Sequence, residues 1–354
     1  MIRVVVVEDS ATARGRLVAV LAATPDLEVV GEAADGAHAL ELVAALRPDV
    51  VTLDLVLPDT TGLAVTEHIM AHVPTPILIV SAASNRGAQH DTYEALAAGA
   101  VDVLDKPQAD EHDWDARFVA AVRLVSKIKV ITHPRARLRA LGRARTVPPA
   151  VISPRPAPYD VVALGASTGG PGALVEVVGS IPPAFPIPIV IVLHLDAAFA
   201  ASFADWLGSE TGRAVWVARE GDAIDGPPGR VLLAPPGYHL AIADRRVRLT
   251  HDAPRHHCRP SIDVLFESIA IASGARAAAC VLTGMGKDGA AGLLAIRTAG
   301  GATFAQDAAT SVVYGMPREA AMNGGAERVL PLEQIGPALA ALASMPAVPR
   351  TRSR

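Results

Sequence analysis

The sequence predicts an α/β protein made of two doubly wound parallel-sheet domains. Short runs rich in valine and isoleucine alternate with amphipathic stretches rich in alanine and leucine, a pattern typical of parallel strands connected by helices. The chain has 354 residues, of which 51% are hydrophobic, and this is enough apolar material for two cores. A basic, proline-rich stretch separates two such series, which indicates a linker between the domains.

The composition excludes several classes of protein. A formal net charge of -4 gives the whole chain no attraction to nucleic acid. No apolar run approaches the roughly 18 residues of a membrane span, and the amino terminus reads as a strand rather than a signal peptide. The two cysteines, Cys258 and Cys280, are too few for a disulfide framework. We therefore expect a cytoplasmic protein without membrane insertion.

Acidic residues follow two predicted strands of the first domain. The first strand ends in Glu8 and Asp9, and the third ends in Asp54. These two strands are neighbours in a five-stranded doubly wound sheet, so their carboxylates should form a pocket suited to Mg²⁺. The fourth and fifth strands lead to Ser81 and Lys106 at the same edge. Because an aspartate can attack phosphorus while Mg²⁺ neutralises the phosphoryl charge, Asp54 is a candidate phosphoryl acceptor.

With these five positions in place, residues 1–122 resemble the flavodoxin-like receiver domain of bacterial two-component response regulators. The resemblance implies that Mg²⁺ is required for phosphorylation. Val103 stands where many receivers carry an aromatic residue, so a tyrosine or phenylalanine switch cannot be assumed. The resemblance assigns the phosphoacceptor to Asp54, the metal ligands to Glu8, Asp9 and Asp54, and the phosphorylation switch to Ser81 and Lys106.

The predicted linker covers residues 123–157. Residues 116–159 include no acidic side chain, and five prolines lie between positions 148 and 158, as in semi-rigid, partly extended connectors. Its basic side chains could contact nucleic acid, but neither a recognition-helix pattern nor interleaved aromatic residues accompany them. A solvated linker is favoured and no nucleic-acid partner is expected. A basic tail, residues 346–354, ends the chain.

Two glycine-rich turns carry the reactive side chains of the second domain. Ser167 lies in GASTGG (residues 165–170), between a predicted strand and a predicted helix, which is the setting of a nucleophile elbow. Asp288 lies in TGMGKDG (residues 283–289), and His194 follows a valine- and isoleucine-rich run. All three positions are at the carboxyl ends of predicted parallel strands, where open α/β sheets place their sites.

Each of these residues also has a structural interpretation. Ser167 could belong to an ordinary turn or a phosphate-binding loop, although the loop lacks the lysine of a P-loop. His194 could be structural, and Asp288 could cap the helix that begins near Gly289. The three together favour a serine hydrolase. Their order along the chain differs from those of the common α/β-hydrolases and serine proteases, which indicates a separate family.

Residues 158–345 resemble the Rossmann-like catalytic domain of the chemotaxis methylesterases (CheB type). The resemblance rests on the two turns, on RPSIDVLF at residues 259–266, on AQD at 305–307 and on YGMP at 314–317. It implies hydrolysis of glutamate methyl esters on methylated chemoreceptors with release of methanol, and it admits glutamine deamidation. It also implies control by phosphorylation from a CheA-type histidine kinase. A receiver followed by a methylesterase is the architecture of this family.

The resemblance assigns the nucleophile to Ser167, the general base to His194 and the orienting carboxylate to Asp288. The backbone N–H of Met285 is a candidate oxyanion donor, because its flanking glycines permit unusual backbone angles. Thr168 is a candidate supporting hydroxyl. No cofactor is expected for the esterase reaction.

A cluster of possible metal ligands precedes residues 259–266. His251, His256, His257 and Cys258 could hold zinc, but the adjacent spacing of the last three is poor for tetrahedral closure. A loop bordering the substrate cleft is the favoured interpretation. For the whole chain, one alternative is a non-enzymatic interaction regulator, which the three reactive residues oppose. Another alternative is a DNA-binding output domain, but the sequence shows no helix-turn-helix pattern.

Overall fold

The computed structural model of the chain describes residues 1–82, 86–106, 113–128, 130, 159–195 and 197–344. The chain divides into two compact units, Met1–Arg145 and Thr146–Arg354. Most of the expected linker (123–157) and the whole tail (346–354) lie outside the described residues. Within the described ranges, no helix combines the length and apolar character that crossing a bilayer requires.

The first unit is a five-stranded parallel sheet with the strand order β2-β1-β3-β4-β5. The first and third strands are neighbours, as expected, and Val7 pairs with Leu53. The residues that directly follow these strands therefore share one edge of the sheet. The elements are β1 (Ile2–Val7), α1 (Ala11–Ala22), β2 (Leu27–Ala33), α2 (Gly36–Leu46), β3 (Val50–Leu53), α3 (Gly62–His72), β4 (Ile77–Ser81), α4 (Arg86–Ala97), β5 (Asp102–Asp105) and α5 (Trp114–Val125).

Side-chain caps fix where three helices of this unit begin. Ser10 accepts a hydrogen bond from the N–H of Ala13 at the start of α1. Asp35 caps α2 and Thr61 caps α3 in the same way. Such caps satisfy N–H groups that have no partner within the helix. The cap of α1 makes the chain leave the sheet immediately after Glu8 and Asp9. At the other end of the unit, α5 continues past the expected boundary at residue 122.

The second unit is a seven-stranded sheet with the order β14-β13-β12-β6-β7-β9-β8, in which every pairing is parallel. Strands β6, β7 and β12 are buried along their whole length, as expected for a sheet covered on both faces. The strands are β6 (Val161–Ala166), β7 (Ile189–Leu193), β8 (Val215–Val217), β9 (Val231–Leu233), β10 (His239–Ala243), β11 (Arg246–Thr250), β12 (Ala277–Val281), β13 (Ala302–Gln306) and β14 (Arg328–Leu330). The helices are α6 (Gly170–Ser180), α7 (Ala197–Thr211), α8 (Ile262–Ser273), α9 (Ala290–Thr298), α10 (Met316–Met322) and α11 (Leu332–Ala341).

The chain reverses its direction of travel across this sheet at β6. From β6 it builds outward through β7 to β8 and β9, and it then returns to place β12 on the other side of β6. Gly165 pairs with Val281 on that side, and Ala166 pairs with Leu193 on the other. The carboxyl ends of these strands form the crevice in which doubly wound sheets bind ligands. The predicted fold class, two doubly wound parallel-sheet domains, is confirmed.

A β-hairpin, which the sequence analysis did not predict, is added to the second unit. Strands β10 and β11 pair antiparallel across Asp244 and Arg245, whose φ values are 49° and 58°. Two left-handed residues in a two-residue loop are typical of a type I′ turn, although glycine and asparagine are the usual occupants. The hairpin contributes Leu240 and Val247 to the core beneath α8, and the N–H of Ile242 donates to Ser268 Oγ at 2.9 Å.

Candidate active site

The two glycine-rich turns of the second unit lie against each other. The backbone N–H of Ser167 donates to the carbonyl of Thr283 at 3.0 Å. The hydroxyl of Thr283 donates in turn to the carbonyl of Thr168 at 2.9 Å. The turn after β6 and the turn after β12 are thus joined in both directions, and Ser167 lies half-buried where they meet.

Gly284 allows this close approach. A Cβ atom at this position would lie 2.7 Å from the Cβ of Ser167 and 2.6 Å from the sulfur of Met316. These separations are shorter than real side chains adopt, so any residue larger than glycine would displace the serine turn. Gly169 has a different function, because its φ of 76° is in the left-handed region and lets α6 begin directly after Ser167 and Thr168.

His194 and Asp288 form the ion pair of the site. Nε2 of His194 lies 2.9 Å from Oδ2 of Asp288. The side chain of His194 is 14% exposed and that of Asp288 is 2% exposed. Since a carboxylate only accepts hydrogen bonds, Nε2 carries the proton of this contact. Nδ1 is therefore the nitrogen with which a neutral His194 can accept a proton.

Asp288 is held at the amino terminus of α8. Its Oδ2 accepts from the N–H of Ile262 at 2.8 Å, and its Oδ1 accepts from the N–H of Asp263 at 3.0 Å. The Ser261 hydroxyl donates to Oδ1 at 2.8 Å, and the N–H of Gly289 donates to it at 3.1 Å. A helix amino terminus is a favourable place for an anion. The sequence analysis considered Asp288 as a cap of the following helix and did not predict its contact with α8.

The pairing changes the pKa of both partners. Burial acts to lower the pKa of His194, but the hydrogen bonds to Asp288 and Cys258 outweigh it and raise the pKa from 6.5 to about 9. Burial acts to raise the pKa of Asp288, but the contact with His194 and the backbone N–H groups of α8 lower it below its ordinary value. Asp288 is therefore an anion at neutral pH, and it stabilises the protonated imidazole.

Nδ1 of His194 faces a thiol instead of the serine. The sulfur of Cys258 lies 3.6 Å from this nitrogen. Within the described residues, no hydrogen bond joins Ser167 Oγ to His194. Cys258 was expected in a loop bordering the substrate cleft, but its contact with His194 was not predicted.

The other residues predicted for the site lie around the same turns. Met285 is exposed to 58%, and within the described residues its backbone N–H donates no hydrogen bond, so this group is available to a developing oxyanion. Thr168 is buried beside Ser167, with 8% of its surface exposed. Their catalytic roles stay predictions.

The four residues of the histidine and cysteine cluster do not converge on one point. His251 packs on the ring of Tyr238, with the ring centroids 3.9 Å apart. His256 contacts Asp263 at 3.1 Å through Nε2. Of the four, only Cys258 contacts His194. His251, His256, His257 and Cys258 therefore do not form one shared metal centre.

The first unit brings its predicted residues together at the edge of the sheet. Lys106 donates to Asp54 Oδ2 at 2.7 Å and to Glu8 Oε1 at 3.0 Å. Burial raises the pKa of Glu8 above its ordinary value, against the opposing contact with Lys106. Burial acts to lower the pKa of Lys106, but its hydrogen bonds to the two carboxylates raise it. Ser81 is buried at the end of β4, where it pairs with Asp105 of β5.

This acidic pocket fits a divalent cation. Ligand oxygens of Glu8, Asp9 and Asp54 all lie within 4.8 Å of one another. Oε2 of Glu8 is buried without a hydrogen bond, although Lys106 Nζ lies 2.8 Å from it. This oxygen is therefore paired with the ammonium by charge, without the alignment that a hydrogen bond requires. A buried carboxylate oxygen without a hydrogen bond is a suitable ligand for Mg²⁺.

The two units therefore define a response regulator whose effector domain has the side chains of a serine hydrolase. The chain belongs to the CheB methylesterase family, whose model matches residues 162–339. The response regulator receiver domain matches residues 4–114. Both resemblances found in the sequence are confirmed.

Curated relatives match over nearly the whole chain. A protein-glutamate methylesterase/protein-glutamine glutaminase 2 of Anaeromyxobacter dehalogenans is 44% identical over 340 residues, which cover 96% of each chain. A protein-glutamate methylesterase/protein-glutamine glutaminase of Nitrosospira multiformis is 41% identical, again over 96% of each chain. Among solved structures, the CheB methylesterase catalytic domain of Thermotoga maritima is 34% identical; the match covers 52% of this chain and 98% of that one, with a TM-score of 0.49.

Proposed function

We propose that this protein hydrolyses methyl esters of glutamate side chains on chemoreceptors and that phosphorylation of its receiver domain controls the reaction. The observation that carries the proposal is the His194 imidazole, held through Nε2 by the buried carboxylate of Asp288 at the sheet edge where Ser167 lies. The names of the relatives, protein-glutamate methylesterase/protein-glutamine glutaminase, support the substrate class.

The first step is attack of Ser167 Oγ on the ester carbonyl carbon. Since Asp288 engages Nε2, the proton of the hydroxyl goes to Nδ1 of His194. The N–H of Met285 donates to the oxyanion, supported by Thr168; loss of one such donor typically costs about 10²–10³ in rate. When the tetrahedral intermediate collapses, the bond to the methoxy oxygen breaks and that oxygen takes the proton from Nδ1. Methanol leaves and an acyl-enzyme remains.

Water then completes the reaction. His194 Nδ1 takes a proton from water as the water oxygen attacks the acyl carbon, and it returns the proton to Ser167 Oγ as the ester bond breaks. The products are a glutamate carboxylate and free enzyme. A glutamine side chain would enter the same sequence and release ammonia in place of methanol, which makes deamidation the second reaction.

Methanol release from a methylated receptor tests the assignment of the nucleophile. We expect Ser167→Ala to abolish release while the protein stays folded, because the side chain lies in a turn and not in the core. Ser209→Ala is the matched control, since Ser209 is exposed on α7 and, among the described residues, its hydroxyl bonds only to the carbonyl of Trp206. Near-normal methanol release by Ser167→Ala would contradict the proposal.

We propose that Asp54 is the phosphoacceptor, with Mg²⁺ held by Glu8, Asp9 and Asp54. When bound, Mg²⁺ neutralises the charge of the transferring phosphoryl group. A CheA-type histidine kinase is the proposed donor; Lys106 contacts the phosphoryl oxygens, and Ser81 supplies the switch hydroxyl. We expect Mg²⁺-dependent labelling by acetyl phosphate that is lost in Asp54→Asn. Asp115→Asn, at an exposed ion pair with Arg16, should label normally.

Regulation is tested by separating the units. Phosphorylation replaces the single negative charge of the Asp54 carboxylate by a phosphoryl group that carries about -1.5 to -2 charges, beside the Lys106 ammonium that already contacts Asp54. By family resemblance, the unphosphorylated receiver restrains the esterase. We expect a fragment of residues 159–354 to release methanol faster than the unphosphorylated full chain, and acetyl phosphate to stimulate only the full chain. Equal rates for both, without an effect of acetyl phosphate, would exclude this form of control.

A further inference from the structure

Three side chains that commonly bind zinc meet at His194. One ligand atom from each of His194, Cys258 and Asp288 lies within 4.8 Å of the others. Asp288 Oδ2 is engaged with His194 Nε2, whereas Cys258 Sγ faces His194 Nδ1 at 3.6 Å. Cys258 is half-buried and His194 partly exposed, so an ion from solvent can reach the pair.

The separation of sulfur and nitrogen fits a tetrahedral metal ion. Zinc binds cysteine sulfur at about 2.3 Å and imidazole nitrogen at about 2.0–2.1 Å, and a tetrahedral angle between these bonds separates the two ligand atoms by about 3.6 Å. The distance between Cys258 Sγ and His194 Nδ1 is 3.6 Å. This distance matches the separation that one tetrahedral ion requires of the two ligand atoms.

Asp288 supplies the outer-shell contact that zinc-binding histidines usually have. Such histidines donate their second ring N–H to a carboxylate, which fixes the tautomer and orients the ring. Here Nε2 donates to Asp288 Oδ2 at 2.9 Å, so Nδ1 is the ring nitrogen that remains for a metal ion, which displaces any proton on it. Asp288 is itself fixed by the amino terminus of α8, so the arrangement is rigid on the histidine side.

The cysteine side is fixed as well. Residues Arg255 and Cys258 exchange both backbone hydrogen bonds, at 3.1 and 2.9 Å, across a turn formed by His256 and His257. These two residues have φ values of 52° and 63°, a left-handed conformation that costs energy for residues other than glycine. Two hydrogen bonds from Arg255 to Glu267, at 2.5 and 2.7 Å, hold the turn on α8. The strained turn presents Cys258 to His194.

We propose that Cys258 Sγ and His194 Nδ1 bind a zinc ion that inhibits the esterase. Binding forms one sulfur–zinc bond and one nitrogen–zinc bond; the thiol proton and, where the imidazole is protonated, the proton on Nδ1 are released to solvent, and water completes the coordination. The ion takes the Nδ1 lone pair that would receive the proton of Ser167, so hydrolysis stops. The effect on rate rests on the proposed function, whereas the binding of the ion does not.

Binding is measured on the full-length protein with Co²⁺ as the probe, in excess Mg²⁺. Cobalt bound by thiolate gives a near-ultraviolet charge-transfer band, which the oxygen ligands of the receiver pocket cannot produce. We expect this band at one equivalent in the native protein, its displacement by Zn²⁺, and its loss in Cys258→Ala and Cys258→Ser. His257→Asn is the matched control, because asparagine tolerates the left-handed backbone at residue 257, and it should keep the band.

Inhibition is measured by methanol release. Micromolar Zn²⁺ should stop the native enzyme and a chelator should restore it. In the Cys258 variants, the zinc concentration that halves the remaining activity should rise at least tenfold, while His257→Asn should respond like the native protein. A cobalt thiolate band that persists in Cys258→Ala, or equal zinc sensitivity of that variant and the native enzyme, would overturn the site. If Ser167 chemistry itself were wrongly assigned, the cobalt band would still appear and still depend on Cys258.

Discussion

Replacing Asp288 by asparagine tests the geometry of the site most directly, because five donors surround its two oxygens. His194 and the N–H of Ile262 donate to Oδ2. Ser261, together with the N–H groups of Asp263 and Gly289, donates to Oδ1. An amide has only one acceptor oxygen. Whichever way the asparagine is oriented, its NH₂ group faces at least one backbone N–H that cannot turn away.

The least unfavourable orientation places the NH₂ group toward His194 and Ile262. The imidazole can then accept through Nε2, but its proton moves to Nδ1, which can no longer act as a base. In the Ser-His-Asp template this wrong tautomer costs about 10⁴ in kcat. The N–H of Ile262 loses its partner, at about 1–3 kcal/mol, and α8 loses an anion at its amino terminus, at about 0.3–2 kcal/mol. We expect Asp288→Asn to lower kcat by about 10³–10⁴ and the free energy of unfolding by about 2–4 kcal/mol.

Methanol release gives the rate, and calorimetry gives the stability. The transition of the receiver unit provides an internal reference, because the substitution should shift only the transition of the second unit. Asp252→Asn is the control, since Asp252 is exposed and, among the described residues, its carboxylate accepts a hydrogen bond only from the Thr250 hydroxyl. A rate within tenfold of the native value would refute the role of Asp288 at His194. An unchanged unfolding transition would refute its role at α8.

Four further outcomes are expected. Gly284→Ala should lower kcat at least tenfold by displacing Ser167, while Gly179→Ala, whose Cβ would meet nothing closer than 3.8 Å, should not. The rate at low substrate should rise with pH as His194 deprotonates, with an inflection near its pKa of about 9; a flat profile would contradict this. Folding raises the pKa of His194 from 6.5 to about 9. The protonated imidazole therefore stabilises the fold fully below pH 6.5, and this stabilisation is lost as the pH rises through about 9. Urea titrations at several pH values should show the loss. Lys106→Met leaves the buried carboxylates of Glu8 and Asp54 without their cation. The receiver should therefore unfold at a lower temperature, and methanol release should no longer respond to acetyl phosphate. A normal response to acetyl phosphate would contradict the role of Lys106.

The sequence predicted the fold and the residues at strand ends because both depend on local patterns. Glu8, Asp54 and Ser167 each follow a buried apolar strand, and parallel strands deliver such residues to one edge. The hairpin of β10 and β11 was missed because its turn uses Asp244 and Arg245, without the glycine or asparagine that usually marks a left-handed loop.

The contacts that complete the site are long-range and left no local signal. Ser261 could be recognised as a helix cap before an apolar run, but nothing in the sequence shows that this helix end receives Asp288. Cys258 and His194 are 64 residues apart, and as a metal ligand the cysteine was grouped only with its neighbouring histidines. The spacing of residues along the chain can predict a set of metal ligands only when all of the ligands lie in one segment.

The reversal of the chain at β6 also determines when the enzyme first becomes active during synthesis. Ser167 and His194 follow strands that are made early, whereas Asp288 follows β12, which pairs with β6 only after the intervening elements have emerged. Asp160 and Arg276, which join the starts of these two strands, are 116 residues apart. Pairings of such long range form slowly. A nascent or refolding chain should therefore hold the proposed nucleophile and base well before Asp288 joins them, and we expect recovery of esterase activity to report the pairing of β12 with β6.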